Sequence, residues 1–494
     1  MIHTQSKRPF VGLRSFESNE NDIFFGRDSL VGKMLDKLAE HRFLAVTGIS
    51  GGGKSSLVKT GLVNGLRMNL IREAGAFWTV IDIRPNNRPI YILAEALLNK
   101  IPKEKRFEND IEFLTSRFKR NPKSFIAFLD ENRRFFKGSL LIIIDQFEEI
   151  FRYEDDNSSV TDFEYNNIMV LVDLLIYSSN QSDLAVYNII TIRADYLGKC
   201  ALFHGLPELI NKSQFIIPRL TRNELHDAIA MPVKMHGGEI EPILVNRILN
   251  DLGHDLEQLP QMQHALMRIW NSAKSINKDN PKLTLELYEK NGGLNQSISN
   301  HAEEIYGKLT FSEKELCKKI FKYITRISSH GKKTRIQRFI KDISYAVDVD
   351  IEKIEELTQK FRKEDISFLR PNQNYVLKEN IMLDITHESI MRQWKRLDTW
   401  IQEEARSKEY FLELKRASDY FHDGKGALLI EPDLSRMLEW REESKPTERW
   451  AKRYGDEFDA VMGFLNKSKS SEQERIKKEE RKKEERREKK RKEK

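Results

Sequence analysis

The sequence predicts a parallel α/β fold with helices on both faces of its sheet, followed by helical segments and a charged tail. Three observations carry this. Strand-sized apolar runs alternate with helical patterns up to about Pro218, the order that builds parallel sheets. A glycine-rich loop, "GISGGGKSS", stands between the first run and a helical pattern. A later run, "SLLIIID", is uniformly apolar and ends in a carboxylate.

The elements follow in order. Residues 1–41 lead in, with "SLVGKMLDKLAE" patterned as a helix. Phe43 to Thr47 is short, apolar and partly β-branched, as a buried strand is. A helix runs from near Lys54 to about Met68. Trp78 to Ile83, Leu140 to Ile144 and Tyr187 to Ile192 are the next three strands. Helical periodicity covers Ile90 to Asn99, Ile111 to Asn132 and Asp162 to Ser178. After Pro218 the strand signals stop, and Arg222 to Lys234, Pro242 to Leu252, Gln258 to Ala273 and Asn295 to Lys308 are helical by period. From Phe311 to Glu404 come three helices, short β runs at Ser367 to Arg370, Tyr375 to Leu377 and Leu383 to Thr386, then a helix, an order that resembles a winged helix. Beyond Glu404 the chain is helical and polar. The expected division is 1–218 for the α/β domain, 219–309 for a helical lid, 310–404 for the winged helix, 405–469 for a helical extension and 470–494 for the tail, helical or disordered. No internal repeat is visible.

From Gly48 the loop has the spacing G-x-x-x-x-G-K-S, with Gly51, Gly52 and Gly53 before Lys54, Ser55 and Ser56. Glycines allow successive backbone N–H groups to converge on one anion, and the following helix aims its positive end at the same point. Lys54 has the reach for the β- and γ-phosphates of a nucleotide, and the Ser55 hydroxyl suits Mg²⁺. The structural alternative is a plain glycine-rich turn. Asp145, at the carboxyl end of its strand, suits the same Mg²⁺. Glu148 is the first candidate to activate the attacking water and Glu149 the second; otherwise both belong to an exposed acidic helix start. Arg193 ends the next strand, where it can face a γ-phosphate or pair at the surface with Asp195. Pro260 opens a helix. His387 and Glu388 stand between a strand and a helix start, where a lone histidine is most often structural. Trp394, Leu397 and Trp400 have the spacing of a helix core. In the basic stretch "GKKTRIQRFIKDI", Lys332, Lys333, Arg335, Arg338 and Lys341 are candidates for reading nucleic acid, or simply a solvated helix face.

Composition bounds the function. Of 494 residues, 39% are hydrophobic and 32% charged, and no apolar run approaches the length of a membrane span. The first ten residues contain no apolar stretch of a secretory signal. The two cysteines, Cys200 and Cys317, are far apart in sequence and suit packing thiols in a reducing cytoplasm. The net charge of +7 resides wholly in residues 475–494, with 13 basic and six acidic side chains; the rest balances at 70 of each sign. A nucleic-acid role therefore does not follow from the basic pI.

Taken together, "PFVGLRSFESNENDIFFGRD", "VTGISGGGKSSLVKTGL", "LLIIIDQFEEIF", "ITIRADYLGKC", "LPQMQHALMRIW" and "THESIMRQWKRLDTW" resemble the bacterial novel STAND NTPases, from about Arg8 to Trp440. The resemblance implies an ATP/ADP switch with Mg²⁺: an ADP-bound resting state, ATP-driven opening, self-association, slow hydrolysis and action on an effector, with signalling or anti-phage defence as its setting. It makes Gly48, Gly53, Lys54 and Ser55 the phosphate loop, Asp145 the Mg²⁺ carboxylate, Glu148 the base and Arg193 the sensor. It also implies a nucleotide contact for Arg27, adenine packing for Pro260 and a contact to the ADP β-phosphate for His387. No effector is expected before the NTPase and no repeat sensor after it, so an effector or sensor protein is expected in trans or is missing from this chain. The competing readings are a nucleic-acid-binding ATPase and a nucleotide-binding scaffold without hydrolysis.

Overall fold

The computed structural model describes residues 8–492, apart from 72, 73, 76, 87, 107–109, 156–161, 182–183, 253–257, 329 and 330. The first seven residues and the opening of the Leu256 to Leu266 stretch, at 256 and 257, thus lie outside the described residues. The chain forms two compact units, 1–300 and 301–494.

The first unit is built on five parallel strands: β1 (Phe43–Gly48), β2 (Trp78–Ile83), β3 (Ser139–Ile144), β4 (Val186–Arg193) and β5 (Gln214–Ile216), in the order β2-β3-β4-β1-β5. Alternate residues of these strands feed two separate cores. Phe43, Ala45, Ile142, Ile144, Ile190 and Ile192 pack on one face; Leu44, Val46, Leu141, Ile143, Tyr187 and Ile189 pack on the other. That is why β1 and β3 read as unbroken apolar runs: a strand covered on both sides has no polar position to alternate with. β5 is absent from the sequence reading because it has only three residues, "QFI", at a sheet edge.

The predicted helix Ile111 to Asn132 is two helices, Asp110–Arg120 and Lys123–Glu131. Pro122 has no N–H to continue the first, and the Asn121 side chain accepts from the Lys123 N–H at 2.9 Å instead. The helices Arg222–Met235, Pro242–Asp251, Leu259–Ile276 and Gly293–Gly307 correspond to the predicted ones. The first three, with Phe10, make a further core. A two-residue parallel pair, β6 (Glu239–Ile240) with β7 (Lys282–Leu283), lies where no strand was expected.

In the second unit, β8 (Thr325–Ile327) and β9 (Lys333–Arg335) form an antiparallel hairpin, and β10 (Arg338–Phe339), β12 (Met382–Ile385) and β11 (Leu369–Arg370) form a small antiparallel sheet. Tyr375 to Leu377 is a loop rather than a strand, because the buried Arg362 guanidinium gathers the carbonyls of Pro371, Asn372 and Tyr375. The basic stretch from Gly331 is not a helix face: it is β9, a turn and β10, and helix begins only at Ile340. Arg335 is buried against Asp384, and Lys333 pairs with Asp398. Trp394, Leu397 and Trp400 are core residues as expected, with Trp394 edge-on to Phe321 at 5.1 Å.

The chain beyond Glu404 is less polar in effect than in composition. Phe411, Leu414, Leu434, Met437, Trp440, Val461, Phe464 and Leu465 close a core of their own. Its last member is the helix Phe458–Lys492, which is anchored as far as Ser468 and Glu472. From 473 to 489 every residue is exposed.

Candidate nucleotide site

The site lies at the carboxyl ends of β1, β4 and β3, three adjacent strands. Ligands bind there in open parallel sheets, since loops of both hands meet and helix N-termini point in. Register places Gly48 of β1 opposite Arg193 of β4, and Asp145 follows Ile144, which is opposite Ile190.

The loop after β1 turns on Gly51 and Gly53, with φ of 71° and 87°, a region side chains rarely adopt. The helix Lys54–Ser56 starts directly from it. It continues through a wider π-helical turn, Leu57–Leu62, into Val63–Arg67. Lys54 is 8% exposed, and its Nζ donates to the carbonyls of Gly48 at 3.0 Å and Ile49 at 2.6 Å. Burial lowers its pKa; Glu148 is the group that most opposes this. The ammonium is thus held inside the curve of the loop, where a phosphate chain would enter. The NH1 of buried Arg27 donates to Pro218 O at 2.7 Å and its NH2 to Gly52 O at 3.4 Å, tying the loop to the exit from β5. Ser56, grouped with the loop by its position in sequence, is engaged elsewhere: its Oγ accepts from the Phe16 N–H at 3.3 Å.

Asp145 is fully buried and uses its two oxygens differently. Oδ1 accepts from Ser55 Oγ at 2.5 Å and Thr191 Oγ1 at 2.8 Å. Oδ2 faces Lys59 Nζ and Arg84 NH2, each at 3.3 Å. Burial opposes ionisation of Asp145, yet Lys59, Arg84 and the two hydroxyls outweigh it and hold its carboxyl well below the usual range. Lys59 also meets Asp82 Oδ2 at 2.7 Å. Ser55 and Asp145 therefore present two hard oxygens at one point, a donor set that fits Mg²⁺.

Glu148 and Glu149 lie in the 3₁₀ segment Phe147–Asp155 and are 5% and 3% exposed, so the reading of an exposed acidic helix start is overturned. The apolar partners Phe147, Ile150 and Phe151 pull this turn into the core. The two carboxylates serve opposite sides. Glu148 accepts from the Arg193 N–H at 3.3 Å and acts on Lys54, whereas Glu149 acts on Arg84. The Arg193 guanidinium pairs with Asp195 through Nε at 3.1 Å and NH2 at 2.9 Å.

Two further predicted contacts, Pro260 and His387, have the following local surroundings. Pro260 stands in the first turn of Leu259–Ile276. His387 belongs to the second unit, where its Nδ1 accepts from the Ser389 N–H at 3.2 Å and is 2.8 Å from Ser389 Oγ at the start of the helix Ser389–Gln393. The sequence reading passed over Lys59, Asp82, Arg84 and Thr191. Asp82 and Arg84 were visible as polar residues ending the apolar strand "WTVIDIR", the same signal that singled out Asp145.

Among the described residues no helix is long and apolar enough to cross a membrane. No curated protein matches the chain. Among solved structures it is similar to the Aeropyrum pernix ORC2 protein in ADPNP–ADP complexes, with 13% identity over 76% of this chain and 92% of that one and a TM-score of 0.40. It is similar also to Cdc6p from Pyrobaculum aerophilum, with 14% identity over 76% and 94% of the two chains and a TM-score of 0.35. The Thermotoga maritima RuvB Holliday junction branch migration motor overlaps at 13% identity over 76% and 96%, with a TM-score of 0.28. The family model for novel STAND NTPase 1 matches residues 9–427, which contain every residue of the site just described. The chain therefore belongs to the novel STAND NTPase family and is a P-loop NTPase.

Proposed function

We propose that the chain is a signalling switch that binds ATP or ADP with Mg²⁺ in its first unit, hydrolyses ATP slowly, and self-associates in its ATP form to act on an effector. The observation that carries this is the convergence of Lys54, Ser55, Asp145, Glu148 and Arg193 at the ends of three neighbouring strands. In this reading Gly48 to Gly53 wrap the phosphates, Lys54 exchanges its two carbonyls for phosphate oxygens, and Arg27 fixes the loop. Ser55 and Asp145 would hold Mg²⁺, which neutralises charge on the β- and γ-phosphates when bound. Glu148 takes the proton of the attacking water. Arg193 must leave Asp195 to reach a γ-phosphate, so ATP and ADP give it different partners. A ligand shifts a two-state equilibrium only through such a difference. Pro260 packs on the adenine, and His387 favours the ADP form. We assign 219–309 as the lid, 310–404 as a winged helix, 405–469 as a helical extension and 470–494 as a charged tail on the same footing.

The deciding experiment is calorimetry of ADP and ATP on the parent and Lys54→Ala, followed by light scattering with ATP and Mg²⁺. The variant should lose at least tenfold in affinity, about 1.4 kcal/mol, and the parent should gain mass with ATP and not with ADP. Equal affinity in the two proteins overturns the phosphate-loop assignment. A parent whose mass ignores ATP overturns the switch. His387→Ala should gain mass without ATP; parent-like behaviour returns that histidine to a purely structural role.

A further inference from the structure

Asp145 is the carboxylate expected to face Mg²⁺, yet half of it is already spoken for. Its Oδ2 is bracketed by two cations at 3.3 Å, Lys59 and Arg84, and only Oδ1 turns toward Ser55. Lys59 sits in the π-helical turn Leu57–Leu62, and such turns occur frequently at functional sites. Its side chain is 11% exposed, and it lies nearer to Asp82, at 2.7 Å, than to Asp145. Asp82 comes from the end of β2, the strand beside β3. One lysine is therefore shared between two carboxylates. How strongly it compensates Asp145 depends on how strongly Asp82 draws it away.

We propose that the Lys59–Asp82 pair is a positioning device for the metal. It holds Asp145 with Oδ2 turned inward and sets, through the share of Lys59 charge that reaches Asp145, how readily Mg²⁺ joins the bound nucleotide. The proposal rests on the nucleotide reading of this site. A cation beside the carboxylate competes with Mg²⁺ for its charge, and at these separations in a desolvated site one unit charge is a large effect. Removing Lys59 charge should strengthen Mg²⁺ uptake. Removing Asp82 charge should hand Lys59 wholly to Asp145 and weaken it. A pair that only supports the fold would weaken both.

The test is titration of Mg²⁺ into full-length protein carrying a fluorescent ADP, beginning in EDTA, for the parent, Lys59→Met, Asp82→Asn and Lys59→Arg. Relative to the parent, half-saturating Mg²⁺ should fall about tenfold in Lys59→Met and rise about tenfold in Asp82→Asn, a tenfold change being about 1.4 kcal/mol. Lys59→Arg should stay close to the parent. Shifts in the same direction, or none, in folded variants overturn the proposal. Should Lys59→Met fail to fold, the rise in Asp82→Asn with parent-like Lys59→Arg still decides it, and its absence overturns it. Fluorescent ADP that binds none of the proteins, even without metal, overturns the nucleotide reading itself, a result distinct from bound nucleotide whose Mg²⁺ dependence ignores the pair.

Discussion

Replacing Asp145 by asparagine removes one charge and almost no volume, so its effect isolates what that charge does. The amide keeps an oxygen for the hydroxyls of Ser55 and Thr191, now 2.5 and 2.8 Å away. It offers nothing to Lys59 and Arg84, each 3.3 Å from Oδ2. Deleting one member of a buried ion pair costs about 3–5 kcal/mol, because the surviving charge stays buried. Lys59 keeps Asp82, and the Arg84 side chain is 22% exposed, so the lower figure applies, about 3 kcal/mol. At about 2–4 °C per kcal/mol for a domain of this size, the nucleotide-free first unit should melt roughly 6–12 °C lower. The pH dependence has a definite sign. The folded pKa of Asp145 lies below the ordinary 3.8, so its contribution is complete above 3.8 and is lost as pH falls through the lowered value. The gap between parent and variant should therefore be constant at neutral pH and close only in strong acid. Scanning calorimetry of both proteins without nucleotide measures it. A variant that melts with the parent at neutral pH, or a gap that widens on acidification, would refute the claim that this carboxylate anchors the two cations.

Glu148→Gln should retain ATP binding while turnover in a phosphate-release assay drops by about 10² or more; the same loss in Glu149→Gln alone would transfer the role to the carboxylate that faces Arg84. Burial lowers the pKa of Lys54 below 10.5, and phosphate oxygens would raise it again, so nucleotide binding should take up a proton between the two values and weaken as pH rises through them. Calorimetry in buffers of different ionisation enthalpy detects that uptake, and binding with no proton exchange at alkaline pH would contradict it. Deleting residues 475–494 should leave the melting temperature within about 1 °C, since every described residue from 473 to 489 is exposed and surface substitutions of this kind act within about 0.5 kcal/mol. Cutting before Phe458 instead removes Val461, Phe464 and Leu465 from a core, each buried apolar side chain contributing about 1.5–3 kcal/mol, and should unfold the end of the second unit.

The sequence alone determined whatever depends on neighbours in the chain. β1 and β3 were legible because both faces of each are covered, which makes Phe43 to Val46 and Leu140 to Ile144 continuously apolar. The phosphate loop was legible because positive φ at Gly51 and Gly53 demands glycine locally. Trp394, Leu397 and Trp400 were legible because helical spacing repeats within one turn or two. Tertiary structure alone decided what depends on residues distant in sequence. Whether Glu148 and Glu149 are exposed turns on where Phe147, Ile150 and Phe151 find a core. Whether Arg335 is free to read a ligand turns on Asp384, 49 residues later. The three residues of β5 become a strand only because β1 offers them an edge. Above all, Lys59, Asp82, Arg84 and Thr191 span more than 130 positions of the chain yet gather around the buried carboxylate of Asp145. No local pattern groups them, because electrostatic and hydrogen-bonding energies follow distance in space, and only the folded sheet sets that distance.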